Sequence, residues 1–165
     1  MSPHTGSPAA VAPQYLCFRR APRPIALHSN DGDVRYAAFA FLPAPERVAE
    51  VRRAVTSVLA YWEVDEDVQD VAVLAVSELA TNAVLHAAAS TTITVLVEVA
   101  SYLHVAVRDG TKQLPVRKDP RGTDNENGRG LAIVEALCSE WGTTVYSDGT
   151  KSVWANFPLP RGASA

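Results

Sequence analysis

The chain has 165 residues, of which 47% are apolar and 20% are charged. A chain of this length can bury about two-thirds of the surface that it exposes when unfolded, so we expect one globular domain. The formal net charge of −3 gives no electrostatic reason to expect direct binding to nucleic acid or to a membrane. The two cysteines, Cys17 and Cys138, form no CxxC or Cys/His cluster, which predicts free thiols rather than a disulfide or a zinc site.

The first part of the chain differs in composition from the rest. Residues 1–32 are rich in Pro, Ala and Ser and lack apolar periodicity, which predicts a flexible tail ahead of a folded domain over 33–160. The tail has no continuous apolar stretch of the kind found in signal peptides, and no apolar run in the chain reaches the roughly 18 residues of a membrane span. We therefore expect a cytoplasmic protein without membrane contact.

The first half of the domain is predicted to contain a strand and two helices. Residues 34–42 read as a strand, and Pro45 then suits the first turn of a helix whose apolar residues recur at helical spacing up to Trp62. A second helix is predicted to begin after Asp65, which can cap it, and to end within 86–89.

The second half is predicted to hold two hairpins on either side of a helix. Segments 91–99 and 102–109 alternate with period two, and the apolar spacing of 131–141 predicts a helix that Gly142 ends. The last hairpin turns at Asp148 and Gly149. This order predicts an α+β two-layer sandwich, with helices on one face of a mostly antiparallel, mixed sheet.

A loop without apolar periodicity, residues 110–127, separates the two hairpins. Loops of more than about 12 to 15 residues inside a small domain are uncommon and are often functional. We expect this loop to cover a ligand.

Polar residues occur in the otherwise apolar second half of the second helix. Glu78 and Asn82 are four residues apart, so they lie on one helical face, and His86 extends that row by one turn. If this face turns inward, both side chains need a metal ion, water or phosphate as a partner. If it turns outward, the row is an ordinary solvated stripe.

Two glycine-containing segments also have features that occur in ligand-binding sites. Asp109 and Gly110 close a strand, either as a simple turn or as a carboxylate that accepts a hydrogen bond from a nucleobase amine, with Gly leaving room for the ring. Gly128, Arg129 and Gly130 open a helix, where free N–H groups can bind phosphate. The pattern is neither a GxxxxGK[ST] loop nor a GxGxxG fingerprint after a strand.

Taken in order, the motifs VSELATNAVLHA, DG, GRGLAIVEAL, WG and VWANFPL resemble the ATP-binding Bergerat fold shared by gyrases, Hsp90, sensor histidine kinases and MutL. They are most similar to the small anti-sigma-factor serine/threonine kinases and to the stand-alone ATP-binding regulators of actinomycetes. The resemblance covers residues 34–159.

The resemblance implies ATP and Mg²⁺ as cofactors and assigns roles by position. Asn82 would coordinate Mg²⁺, Glu78 would act as general base, and Asp109 would accept the adenine amine. His86 is expected to be structural. The other positions implied to contact ATP are Gly110, Gly128, Arg129, Gly130, Leu131 and Ser152.

The chain departs from the family pattern at two places. Asp109-Gly110-Thr111-Lys112-Gln113 lacks the two later glycines of the usual Asp-x-Gly-x-Gly box, and Thr150-Lys151-Ser152 replaces Gly-x-Thr while keeping a hydroxyl.

The resemblance further implies a serine/threonine protein kinase that regulates transcription by partner switching. Its partners would be a sigma factor, an anti-sigma antagonist protein, or both, and it would be able to form a homodimer. The alternative is a non-catalytic, ATP-responsive module that binds protein partners.

Overall fold

The computed structural model describes residues 25–28, 34–88, 90–111, 114 and 129–160, with only the backbone of 25–28 and of Arg129. Within these residues the chain forms six strands and three helices. The strands are β1 (Ile25–His28), β2 (Arg35–Phe41), β3 (Ile93–Val99), β4 (Tyr102–Asp109), β5 (Glu140–Val145) and β6 (Lys151–Pro158). The helices are α1 (Pro45–Tyr61), α2 (Glu66–His86) and α3 (Arg129–Leu137).

The six strands form one sheet in the order β1-β2-β3-β4-β6-β5. Every described strand pair is antiparallel, so the prediction of a mixed sheet is wrong in this detail. Two successive helices join β2 to β3. Each helix reverses the direction of the chain, so β3 lies antiparallel to β2. A single crossover helix would have produced a parallel pair.

The core lies between one face of the sheet and the helices, as the α+β sandwich prediction requires. Alternate residues of β2, β3, β4 and β6 point to this face, because side chains in a strand alternate with period two. In β3 these are the residues predicted from the alternation, and they are all buried: Ile93, Val95, Val97 and Val99.

Helix α2 is the central helix of the domain, because it packs against both other helices and three strands. It is also the one described helix that is long and apolar enough to cross a membrane by length and composition. Its buried side is composed mainly of small residues, which lets neighbouring elements approach closely: Ala72, Ala75, Val76, Leu79, Ala80 and Ala83. These contacts account for its apolar composition.

The predicted starts of α1 and α2 are confirmed. Pro45 occupies the first turn of α1, where its missing N–H costs no hydrogen bond. Asp65 caps α2, and its carboxylate accepts a hydrogen bond from the backbone N–H of Asp67 at 3.1 Å.

Two boundaries differ from the sequence prediction. Strand β1 lies inside the segment 1–32 that was predicted to be a flexible tail, and it pairs with β2. The helix predicted over 131–141 ends at Leu137, because Trp141 and Gly142 belong to β5. A Cβ on Gly142 would lie 2.6 Å from the Trp154 ring, so this glycine admits a neighbouring side chain on the sheet rather than ending a helix.

The turn between β5 and β6 fixes where β6 begins. Gly149 has a φ of 85°, a left-handed value that favours glycine. The Asp148 carboxylate accepts hydrogen bonds from Thr150 Oγ1 (2.6 Å) and N (3.0 Å), which are the main reason that its pKa is lowered; Arg108 contributes less. The Asp148 carboxylate therefore contributes to the stability of the fold above its usual pKa, and this contribution is lost as the pH falls through the lowered pKa.

Of the two cysteines, Cys138 is a free, half-buried thiol at the end of α3, and burial raises its pKa. The thiol is therefore protonated at neutral pH and is a poor nucleophile. Cys17 lies outside the described residues.

We expect Phe157→Ala to destabilise the domain by about 3–5 kcal/mol, because it leaves a cavity in the core where Phe157 is 1% exposed. Urea denaturation measures this loss. Tyr61→Ala removes an aromatic ring of similar size from a side chain that is 73% exposed, and it should alter the free energy of unfolding by no more than about 0.5 kcal/mol. Equal losses in the two variants would contradict the placement of Phe157 in the core.

Candidate functional site

Three strands end or begin at the same edge of the sheet. Asp109, the last residue of β4, pairs across the sheet with Lys151, the first residue of β6. Gly110, just beyond β4, packs against Thr91, which precedes β3. Glu78 and Asn82 lie in the second half of α2 and contact the first turn of α3. We use the name polar edge for this strand edge together with the contact between α2 and α3.

Glu78 and Asn82 face Gly130 rather than open solvent. A Cβ on Gly130 would lie 2.6 Å from Oε2 of Glu78 and 3.5 Å from Nδ2 of Asn82. Glycine at this position therefore leaves room for both side chains where α3 begins against α2. The interpretation of Glu78 and Asn82 as an ordinary solvated stripe does not fit this packing, because both are half-buried.

Neither Glu78 nor Asn82 forms a side-chain hydrogen bond in the part of the chain that the structure describes. Two neighbouring polar residues of α2 bond to the helix backbone: Ser77 Oγ to the Val73 carbonyl at 2.9 Å and Thr81 Oγ1 to the Ser77 carbonyl at 2.7 Å. Half-buried polar groups without partners are costly unless water or a ligand satisfies them. The pair is thus free to bind a ligand at the polar edge.

The start of α3 adds hydrogen-bond donors to the same place. The first backbone N–H groups of a helix have no partner within the helix and carry a partial positive charge, which favours anions. Of the predicted GRG segment, Gly130 is buried at this start, the Arg129 side chain is not described, and Gly128 lies outside the described residues. Residues 112–113 and 115–127 of the predicted loop also lie outside the described residues.

Leu131 is predicted to contact ATP, and the structure places it in the hydrophobic core with an exposure of 6%. It anchors the first turn of α3, so any effect on a ligand would pass through the position of that helix.

Asp109 lies at the polar edge and is 4% exposed, but its carboxylate already has a partner. Lys151 Nζ donates to Oδ1 at 2.8 Å and to Oδ2 at 2.7 Å. The backbone N–H of Thr111 also donates to Oδ1 at 2.9 Å. Asp109 therefore accepts hydrogen bonds from its own loop, as in a simple turn, and from a buried cation, while its bond to a nucleobase amine stays a prediction.

Gly110 has a packing role that the sequence did not indicate. A Cβ at this position would lie 2.6 Å from the Thr91 side chain, so the loop after β4 needs a glycine to approach the start of β3. His86 is exposed in the last turn of α2, and nothing in the structure distinguishes it as a ligand.

The structure does not bring Ser152 to the other predicted residues. Successive side chains of a strand point to opposite faces, and Val153 and Ala155 belong to the core beneath the helices. Ser152 therefore points to the outer face of the sheet. There it lines a shallow groove of about 230 Å³ with Arg108, Trp154 and other residues.

Lys151 is the residue that sequence reasoning missed at this edge. The same alternation places Lys151 on the helix side of β6, two residues before Val153, so the signal was present in the sequence. The sequence prediction named the hydroxyl of the next residue, Ser152, instead.

The polar edge suits a divalent cation only together with a ligand. The described residues contain no group of three or more His, Cys, Asp or Glu side chains that could hold a metal alone. Glu78 and Asn82 supply one carboxylate and one amide oxygen, and Mg²⁺ is commonly held by one or two such oxygens together with substrate phosphates and water. The residues present fit a metal that arrives with a phosphorylated ligand.

The domain matches a known protein family. A family model described as histidine kinase-like ATPase domain matches residues 41–157, which span α1 to β6 and include the whole polar edge. No curated protein matches the chain in sequence.

We expect Lys151→Met to cost about 3–5 kcal/mol of folding free energy, because it leaves the buried Asp109 carboxylate without its cation. Asp109→Ala should be costly for the same reason, since it strands a buried ammonium group. The double variant should lose at least about 2 kcal/mol less than the sum of the two single losses. Denaturant titration of all four proteins measures the coupling, and additive losses would show that the ion pair contributes nothing.

Proposed function

Since the chain belongs to the histidine kinase-like ATPase domain family, we propose that its ATP-binding site lies at the polar edge and that ATP enters as a complex with Mg²⁺. The observation that carries this proposal is the placement of Glu78 and Asn82 against Gly130. Two half-buried polar side chains without partners meet a helix N-terminus there, which is the combination that a metal-bound polyphosphate requires.

Each residue of this group has a separate task in the proposal. The side-chain oxygen of Asn82 would hold Mg²⁺, and the N–H groups at the start of α3 would donate to phosphate oxygens. Gly130 keeps the space between α2 and α3 open, because any side chain would displace the Glu78 carboxylate. Bound Mg-ATP supplies the transferable phosphoryl group and neutralises its charge.

Glu78 is proposed as the general base. Its carboxylate lies one helical turn from Asn82, and it is not engaged by another described residue. A carboxylate in this position can accept the proton of an incoming hydroxyl, provided that the hydroxyl is held in hydrogen-bond reach. Phosphoryl transfer depends mainly on such positioning and on electrostatic stabilisation.

The regulatory activity that we propose is a serine/threonine protein kinase in the cytoplasm, which acts by partner switching. It would bind a sigma factor and phosphorylate a serine of an anti-sigma antagonist protein. This finer assignment is supported by the similarity of VSELATNAVLHA and GRGLAIVEAL to that group, and by the free Glu78 carboxylate at the polar edge.

A second candidate is a non-catalytic module that binds protein partners in response to ATP. The ion pair of Asp109 with Lys151 favours it, because a carboxylate that is already paired holds the base of a nucleotide less firmly. Nucleotide binding would then serve only to change the shape of the domain.

Transfer of phosphate separates the two candidates. The protein is incubated with labelled ATP, Mg²⁺ and candidate antagonist proteins from the same genome. We expect label on a serine of one antagonist, and a loss of about 10²- to 10⁴-fold in the transfer rate for Glu78→Gln with little change in ATP affinity. If ATP binds and no antagonist is labelled, the module is the better description.

We expect Gly130→Ala to weaken Mg-ATP binding by about tenfold, a loss of about 1.4 kcal/mol, because the new Cβ pushes the Glu78 carboxylate out of the space between α2 and α3. Stability should change by no more than about 1 kcal/mol, since alanine favours a helix and the displaced group is flexible. Isothermal titration calorimetry measures the binding.

Ala136→Gly is the matched control, because Ala136 is exposed on the same helix. It should cost about 1 kcal/mol of stability and leave the affinity for Mg-ATP unchanged. Wild-type affinity in Gly130→Ala would remove the polar edge as the binding site.

A further inference from the structure

The ammonium group of Lys151 is completely satisfied inside the protein. Its three N–H groups have three acceptors, namely Oδ1 and Oδ2 of Asp109 and Oγ1 of Thr111, at 2.8, 2.7 and 2.8 Å. The Lys151 side chain is only 5% exposed. A buried cation with a full set of acceptors does not leave its position without a large cost.

The Asp109 carboxylate is nearly saturated as well. Oδ1 accepts from Lys151 Nζ, from the Thr111 backbone N–H at 2.9 Å and from Thr111 Oγ1 at 3.1 Å. Oδ2 accepts from Lys151 alone among the described residues. The position proposed to accept a nucleobase amine is thus occupied by the protein's own amine.

We propose that the ammonium group of Lys151 holds Asp109 in place of the exocyclic amine of adenine, and that it thereby removes most of the preference for adenine. We call the Lys151–Asp109 ion pair the latch. This inference rests on the proposed function, because it concerns the base of a nucleotide whose phosphates bind at the polar edge.

The competition favours the lysine on physical grounds. The ammonium group of Lys151 and the Asp109 carboxylate attract each other as opposite charges in addition to their hydrogen bonds, whereas a neutral amine offers the carboxylate a hydrogen bond alone. The neutral amine of adenine cannot replace an ammonium group that also has Thr111 as an acceptor. The Lys151–Asp109 ion pair stays intact when a nucleotide binds. The base of the nucleotide is then held by its shape and apolar contacts rather than by Asp109.

The latch has a consequence for selectivity that can be measured. ATP carries an exocyclic amine at position 6 of the purine, whereas inosine triphosphate (ITP) carries an oxygen there. With Asp109 occupied, wild-type protein should bind the two with affinities that differ by less than about threefold, which corresponds to less than one hydrogen bond. With the latch removed, the free carboxylate should accept the amine of ATP and repel the oxygen of ITP.

The experiment is calorimetry of Mg-ATP and Mg-ITP on wild-type protein, Lys151→Met and Lys151→Met/Asp109→Ala. Methionine retains an unbranched side chain of similar length without the charge. We expect the ratio of ATP to ITP affinity to rise at least about tenfold in Lys151→Met, as a hydrogen bond to a charged group implies. The double variant lacks the acceptor and should return to a ratio near that of wild type.

Three outcomes would overturn the latch. A strong preference for ATP in wild-type protein would show that Asp109 is available while Lys151 is present. An unchanged ratio in Lys151→Met would show that Asp109 does not meet the base, although Mg-ATP binding and the proposed function would stand. Failure of wild-type protein to bind Mg-ATP at all would remove both the proposed function and the latch.

A measurement on wild-type protein covers the case in which Lys151→Met does not fold. In ¹⁵N-detected NMR, a buried ammonium group with three acceptors gives a signal that exchanges slowly with water, and Lys151→Met or Lys151→Arg identifies it. We expect this signal to persist when Mg-ATP saturates the protein. Its loss would mean that the nucleotide opens the latch, which contradicts the proposal.

Discussion

The domain depends on the packing of α2 against the sheet, α1 and α3 at once. A helix with neighbours on several sides must be apolar, and small residues such as Ala75 and Ala83 let those neighbours approach. Glu78 and Asn82 are exceptions to this composition, and Gly130 of α3 is the compensating exception opposite them. The ATP site that we propose is the place where these polar side chains of α2 meet the start of α3.

Much of the fold could be predicted from the sequence. In those elements the local sequence signals agree with the burial of the same residues in the structure. Proline, a capping aspartate and helical spacing locate α1 and α2, and strict alternation locates the hairpin of β3 and β4. The predictions were wrong where a tertiary contact decides the structure. Apolar spacing continues past Leu137, yet Trp141 lies on a strand, because β5 pairs with β6. Strand β1 adds to the edge at β2 despite a composition typical of a tail.

The candidate site was predictable in part for a related reason. Spacing along one helix was enough to place Glu78 and Asn82 together, and Gly130 confirms that this face is covered. The partners of Asp109 depend on register between β4 and β6, which sequence spacing alone does not give. Alternation along β6 places Lys151 on the helix side, but a lysine is usually exposed, so the sequence names no partner for it until the carboxylate across the sheet is identified.

The outer face of the sheet has hydrogen bonds of its own, which do not involve the polar edge. His104 bonds to Asn156 at 2.7 Å, and Arg108 bonds to Asp148 and lies over the Tyr146 ring. The side chains of β4 and β6 point alternately to the two faces of the sheet. Each strand therefore carries two sets of side chains with different surroundings. Selection can therefore alter one set while the other stays constant, so the two faces of this domain are free to diverge at different rates.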